Sequence, residues 1–110
     1  MVSRALQAAR ETMWAYLNGE ILPAEEARIS AFDRGARYGD GLFETFAARG
    51  GKIPFFRQHW RRLEHSSRFL RLALPRTEGE IHRACLELCR RNALPDAVLR
   101  LTVTRGPGPR

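Results

Sequence analysis

Residues Asp33–Thr45 read DRGARYGDGLFET. Gly39 and Gly41 bracket a tight turn, and the turn feeds a strand-like run with an aromatic residue at Phe43. The segment His59-Trp60-Arg61-Arg62-Leu63 follows, on a stretch with helical periodicity. At 100° per residue Arg62 leaves the charged stripe formed by Arg57, Arg61, Glu64, Arg68 and Arg71 and falls on the side of Ser66 and Phe69. A glycine-bracketed turn, an aromatic strand and then a helix with one displaced arginine is an order that suits an anionic cofactor.

The flanking sequence fills in the elements. Tyr16–Leu22 is predicted to be a hairpin, because Asn18-Gly19 supplies the two positive-φ positions of a type I′ turn. A second hairpin is expected between Leu42–Ala48 and Lys52–Phe56, reversing at Arg49-Gly50-Gly51. A helix over about Arg57–Leu70 would bury Trp60, Leu63, Ser67 and Leu70. In the next helix Ile81, Ala84, Cys85, Leu88 and Cys89 share one face, Thr77 and Glu80 form a capping box, and Asn92 with Pro95 ends it. Val98–Thr104 alternates, with Leu99, Leu101 and Val103 on one face and Arg100, Thr102 and Thr104 on the other. The expected architecture is α+β: an antiparallel sheet with two helices packed on one face, its polar face left for something else.

The 110 residues allow one small domain, short for an enzyme with a cofactor cleft. The net charge is +7, and 18 of the 19 basic residues are arginine, Lys52 being the exception. So one-sided a choice between two cations of equal charge points to codon bias more than to nucleic-acid binding. Cys85 and Cys89 have apolar neighbours and read as buried thiols rather than a metal site. No apolar run approaches the roughly 18 residues that span a bilayer, so no membrane association is expected and the cytoplasm is the default compartment. His59, His65 and His82 have no metal-ligand spacing.

From helix geometry alone Arg62 reads rather as an arginine that bridges two carbonyls or snorkels from the core margin. Gly39-Asp40-Gly41 alone is a weak anion nest, since Asp40 would repel the anion. Glu44 reads as a rim residue or a hydrogen-bonding residue rather than an acid catalyst.

Together with the ending RGPGPR, these motifs resemble the amino-terminal half of the class IV pyridoxal-phosphate enzymes, over about Met13 to Arg110. That group comprises D-amino-acid and branched-chain aminotransferases and aminodeoxychorismate lyase. The resemblance implies the small amino-terminal domain of a fold-type IV enzyme, with residues 1–12 an extension that is helical or disordered and precedes a natural start at Met13. It implies pyridoxal 5'-phosphate as cofactor, an amino acid and a 2-oxo acid as substrates, and a homodimer whose pocket the neighbour completes. The arginine of the matching H-x-x-R-L segment holds the cofactor's phosphate, which assigns Arg62. Tyr38 and Phe43 would line the substrate pocket. Arg100 matches a pocket arginine of branched-chain enzymes, and Arg110 the carboxylate-binding arginine that ends R-G-x-x-P-R in D-amino-acid enzymes. No residue here corresponds to the Schiff-base lysine, which lies further along in the family, so the 110 residues alone are expected to be an inactive fragment. The motifs fit a transaminase and the lyase alike. A small basic RNA-binding or scaffolding module is the reading from another class, carried by the arginine stripe of the first long helix.

Overall fold

The computed structural model describes residues 13–108. The expectations for residues 1–12 and for Arg110 therefore fall outside the described residues.

Strands β1 (Trp14–Leu17) and β2 (Glu20–Pro23) form the first hairpin, pairing Trp14 with Pro23 and Leu17 with Glu20. Asn18 and Gly19 at its tip have φ of 50° and 95°, the sign that a type I′ turn needs. A short helix α1 (Arg34–Tyr38) precedes β3 (Gly41–Ala48). Two longer helices, α2 (Phe56–Phe69) and α3 (Glu78–Arg91), lead to β4 (Ala97–Thr104). β3 and β4 pair antiparallel over all eight residues, from Gly41 opposite Thr104 to Ala48 opposite Ala97. The fold is thus α+β, with its strands in two antiparallel pairs.

This pairing corrects the second predicted hairpin. Lys52–Phe56 is not a strand, and only a single bridge, Arg49 to Lys52, closes the turn. The amides of Gly50 and Gly51 are instead satisfied by Asp96 Oδ1 at 2.9 Å and Pro95 O at 2.9 Å, so the glycine turn docks on the entry to β4. Phe55 then takes φ of 63°, an uncommon value for a bulky residue, and α2 begins directly after it.

The inner face of the β3–β4 ribbon carries Phe46 and Ala48, both buried, with Leu42, Leu99, Leu101 and Val103 half-buried beside them. Phe56, Trp60 and Leu63 of α2 and Ile81, Cys85 and Cys89 of α3 close over that face as one core. Phe46 packs between Phe56 and His59, each ring centroid 5.2 Å away. Leu70, expected on the buried stripe, is exposed. The helix stops one residue earlier, Arg71 flips to φ of 53°, and the Leu72 amide bonds back to Ser67 O, which turns Leu72 into the core in its place.

Thr77 caps α3 by accepting from the Glu80 amide at 3.2 Å. At the other end Asn92 does more than stop the helix. Its side-chain oxygen accepts from Trp14 N at 2.7 Å while its amide donates to Trp14 O and Leu88 O, so it stands in for a neighbouring strand and ties the first hairpin to α3. Burial, reinforced by the charge of Cys89, pushes the Cys85 thiol up to about 11, which leaves it a packing group rather than a nucleophile at neutral pH. Among the described residues no helix is long and apolar enough to cross a membrane.

Candidate functional site

The segment 33–41 is a polar knot that sets where β3 starts. Asp33, buried at the cap of α1, accepts from the Gly35 amide at 2.8 Å and from the Thr104 hydroxyl at 3.0 Å. A Cβ on Gly35 would lie 2.3 Å from the Thr104 methyl, and one on Gly41 would lie 2.6 Å from Val103 O. Close approach to β4 therefore requires glycine at both positions. Asp40 takes hydrogen bonds from Arg34 Nε at 3.0 Å and Arg105 Nε at 2.9 Å, and the two guanidinium groups hold its carboxyl below the usual range. Arg105 also donates to the carbonyls of Leu70 and Arg71 and so reaches the end of α2. Gly39-Asp40-Gly41 is a turn braced by two arginines, with Gly39 at φ of 67° closing α1.

From this start, strand alternation sorts the next residues onto opposite faces. Phe43 points to the outer face and is 58% exposed. The Arg100 guanidinium, from the facing strand, lies over its ring at 4.1 Å. Phe43 is therefore not a core residue. Tyr38 ends α1 partly exposed, with Arg34 and Arg37 against its ring at 5.2 and 4.9 Å.

Glu44 turns inward and is buried. Arg62 clamps it with Nε to Oε1 at 2.6 Å and Nη2 to Oε2 at 2.8 Å. His59 Nδ1 lies 3.0 Å from Oε2. A carboxylate only accepts, so this Nδ1 carries the proton and the imidazole donates to Glu44. Arg62 itself remains 67% exposed, and its Nη1 has no partner among the described residues.

Hydrogen bonding from Arg62, helped by His59 and opposed by burial, holds the Glu44 carboxyl below its ordinary value of 4.5. A carboxylate with a lowered folded pKa adds stability above its unfolded value, and that stability fades as pH falls through the folded one. Acid unfolding is expected to set in below about pH 4.5, and the Glu44→Gln variant to show a flatter dependence there in circular dichroism. Identical acid profiles would remove this clamp from the acid response.

The structure thus brings Phe43 and Arg100 together, sets Tyr38 at the end of α1, and places Arg62 across β3 from Phe43. Two partners were only partly legible in the sequence. Glu44 reads in the sequence as a residue able to form hydrogen bonds, and helical phase puts His59 on the same side of its helix as Arg62. Their convergence on one carboxylate needed the packing of α2 over β3.

The profile of the amino-transferase class IV family matches residues 41–110. A Methanocaldococcus jannaschii protein assigned as a branched-chain-amino-acid aminotransferase is 42% identical over 96 residues, covering 87% of this chain and 33% of that protein. D-alanine aminotransferase of Staphylococcus haemolyticus is 33% identical over 95 residues, 86% of this chain and 34% of that protein. The crystal structure of 4-amino-4-deoxychorismate lyase from Pseudomonas aeruginosa superposes with a TM-score of 0.67 at 43% identity, over 86% of this chain and 32% of that one. Solved branched-chain aminotransferases superpose with TM-scores of 0.75 to 0.80, so the fold is that of the amino-terminal domain of fold-type IV aminotransferases. The chain spans about a third of the length of these relatives.

Proposed function

The chain belongs to the class IV aminotransferases, and we propose that in a full-length enzyme it forms the phosphate anchor and one substrate wall of a D-amino-acid or branched-chain aminotransferase. Such an enzyme moves an amino group between an amino acid and a 2-oxo acid. Pyridoxal 5'-phosphate is the cofactor of this family, and when bound it supplies an electron sink for the substrate's α-carbon. The observation that carries the reading is Arg62: an exposed guanidinium, oriented by Glu44 along one edge and open to an anion along the other. That arrangement fits a phosphate, whose oxygens match the planar fork of donors.

The outer face of β3–β4 supplies the substrate wall. Phe43 gives an exposed apolar surface and Arg100, stacked on it, a cation suited to a carboxylate. Tyr38 and Arg110 complete the proposed substrate set. Lys52, the one lysine of the 110 residues, is exposed in the Gly50-Gly51 turn and is not assigned a catalytic part. Exposed apolar residues on the outer face, Phe43 and Val98, suit a wall that the rest of the enzyme or a second subunit covers, and a cytoplasmic homodimer is the proposed setting.

The 43% identity to the Pseudomonas aeruginosa lyase supports a second reading, elimination from aminodeoxychorismate on the same scaffold. One assay separates them. The purified full-length protein, supplied with pyridoxal 5'-phosphate, is expected to transfer the amino group of D-alanine or L-leucine to 2-oxoglutarate. Release of pyruvate from aminodeoxychorismate without any transfer would establish the lyase instead, and neither activity would reject both.

A further inference from the structure

We propose that Glu44, braced by His59, is a positioning residue that sets which edge of Arg62 meets the cofactor's phosphate. The inference rests on the assignment of Arg62 to that phosphate. A guanidinium has two edges able to offer parallel N–H pairs, Nε with one Nη, and Nη1 with Nη2. Glu44 occupies the first, at 2.6 and 2.8 Å. The end-on Nη1–Nη2 edge keeps a second N–H on Nη2 and both on Nη1, on a side chain that is 67% exposed; Nη2 also lies 3.4 Å from His59 Nδ1, but that nitrogen carries its own proton and does not accept from it. The free edge is itself a bidentate fork for two phosphate oxygens.

The brace is built rather than incidental. Glu44 is buried on the inner face of β3, so its carboxylate cannot swing out with the arginine. His59 donates to Oε2 at 3.0 Å and is itself pinned edge-on against Phe46, the most deeply packed aromatic of the core. The core thereby fixes a carboxylate, and the carboxylate fixes the arginine. Glu44 also takes charge away from the site, so positioning and electrostatics predict opposite results for its neutralisation. If Glu44 acts by positioning, removing its charge weakens phosphate binding. If only net charge matters, removal strengthens it.

The test uses the full-length apoprotein, titrated separately with pyridoxal 5'-phosphate and with pyridoxal, so that the affinity ratio reads the phosphate contact alone. Glu44→Gln keeps the side-chain volume but, with its amide oxygen at the Oε2 position where Arg62 Nη2 and His59 Nδ1 both donate, it faces Arg62 Nε with an amide donor. It is expected to cut the affinity for pyridoxal 5'-phosphate about tenfold while leaving pyridoxal unchanged. Combined with Arg62→Ala it should cost nothing beyond Arg62→Ala alone. Unchanged or tighter binding of pyridoxal 5'-phosphate by Glu44→Gln, with Arg62→Ala still impaired, overturns the positioning role. An Arg62→Ala ratio equal to the parent's instead overturns the phosphate assignment beneath it. Should Glu44→Gln fail to fold, His59→Phe keeps a ring against Phe46 and deletes the brace. It is expected to lower the ratio by about threefold, and no change would equally overturn the proposal.

Discussion

Replacing Arg62 by alanine in the full-length protein is expected to lower its affinity for pyridoxal 5'-phosphate about 30- to 700-fold. Arg61→Ala, one residue away, should change it less than about fivefold. The first figure is the loss of an oriented, charge-assisted bidentate contact, about 2–4 kcal/mol; the second is the worth of a solvated arginine, about 0–1 kcal/mol. The difference lies in what each side chain touches. Arg61 projects to solvent, whereas Arg62 is gripped by a buried carboxylate that holds it at one place on the rim of β3. Arg62→Ala also strands Glu44 with only His59 to satisfy it, so some loss of stability accompanies the loss of affinity. Arg62→Lys separates the two effects: a lysine restores a charge near Glu44 but cannot form two parallel hydrogen bonds on each side, so stability should recover more than affinity. A cofactor titration in which Arg61→Ala and Arg62→Ala match would remove Arg62 from the site.

The local signals in this sequence were reliable where one residue decides a backbone angle or a cap. Asn18-Gly19 had to be a tight turn, and Thr77 with Glu80 had to start a helix, because each satisfies its own backbone without help from the rest of the chain. The alternation of Val98–Thr104 likewise named its buried face correctly. The partner of β3 was another matter. Two glycines at Gly50-Gly51 permit a hairpin, but β3 pairs with a strand about fifty residues on, since Ala97–Thr104 offers eight matched positions with apolar residues in phase and Lys52–Phe56 does not. Long-range pairing is decided by how much surface two strands cover together, which no local window reads. The same limit hid the site's interior. Displacement of Arg62 from the charged stripe was visible in helical phase, yet its partner is eighteen residues earlier in sequence and joined to it only when α2 lies across β3.

Strand parity leads to a second large effect, in which two aromatics three residues apart divide stability from substrate binding. Phe46→Ala is expected to cost about 3–5 kcal/mol, the usual range for emptying a fully packed aromatic site, out of a total stability of about 5–15 kcal/mol for a small domain. Phe46 is 1% exposed, lies opposite Leu99 and keeps both Phe56 and His59 in place, so its loss also loosens the His59–Glu44–Arg62 clamp. Phe43→Ala removes a ring that is mostly in solvent and touches the Arg100 guanidinium. Its cost in stability should stay below about 1 kcal/mol, while the apparent affinity for the substrate amino acid falls. Urea midpoints and substrate titrations of both variants give the comparison. If Phe43→Ala destabilised the protein as much as Phe46→Ala, the outer face would be a second core surface rather than a pocket wall, and the assignments of Phe43 and Arg100 to the substrate would fall together.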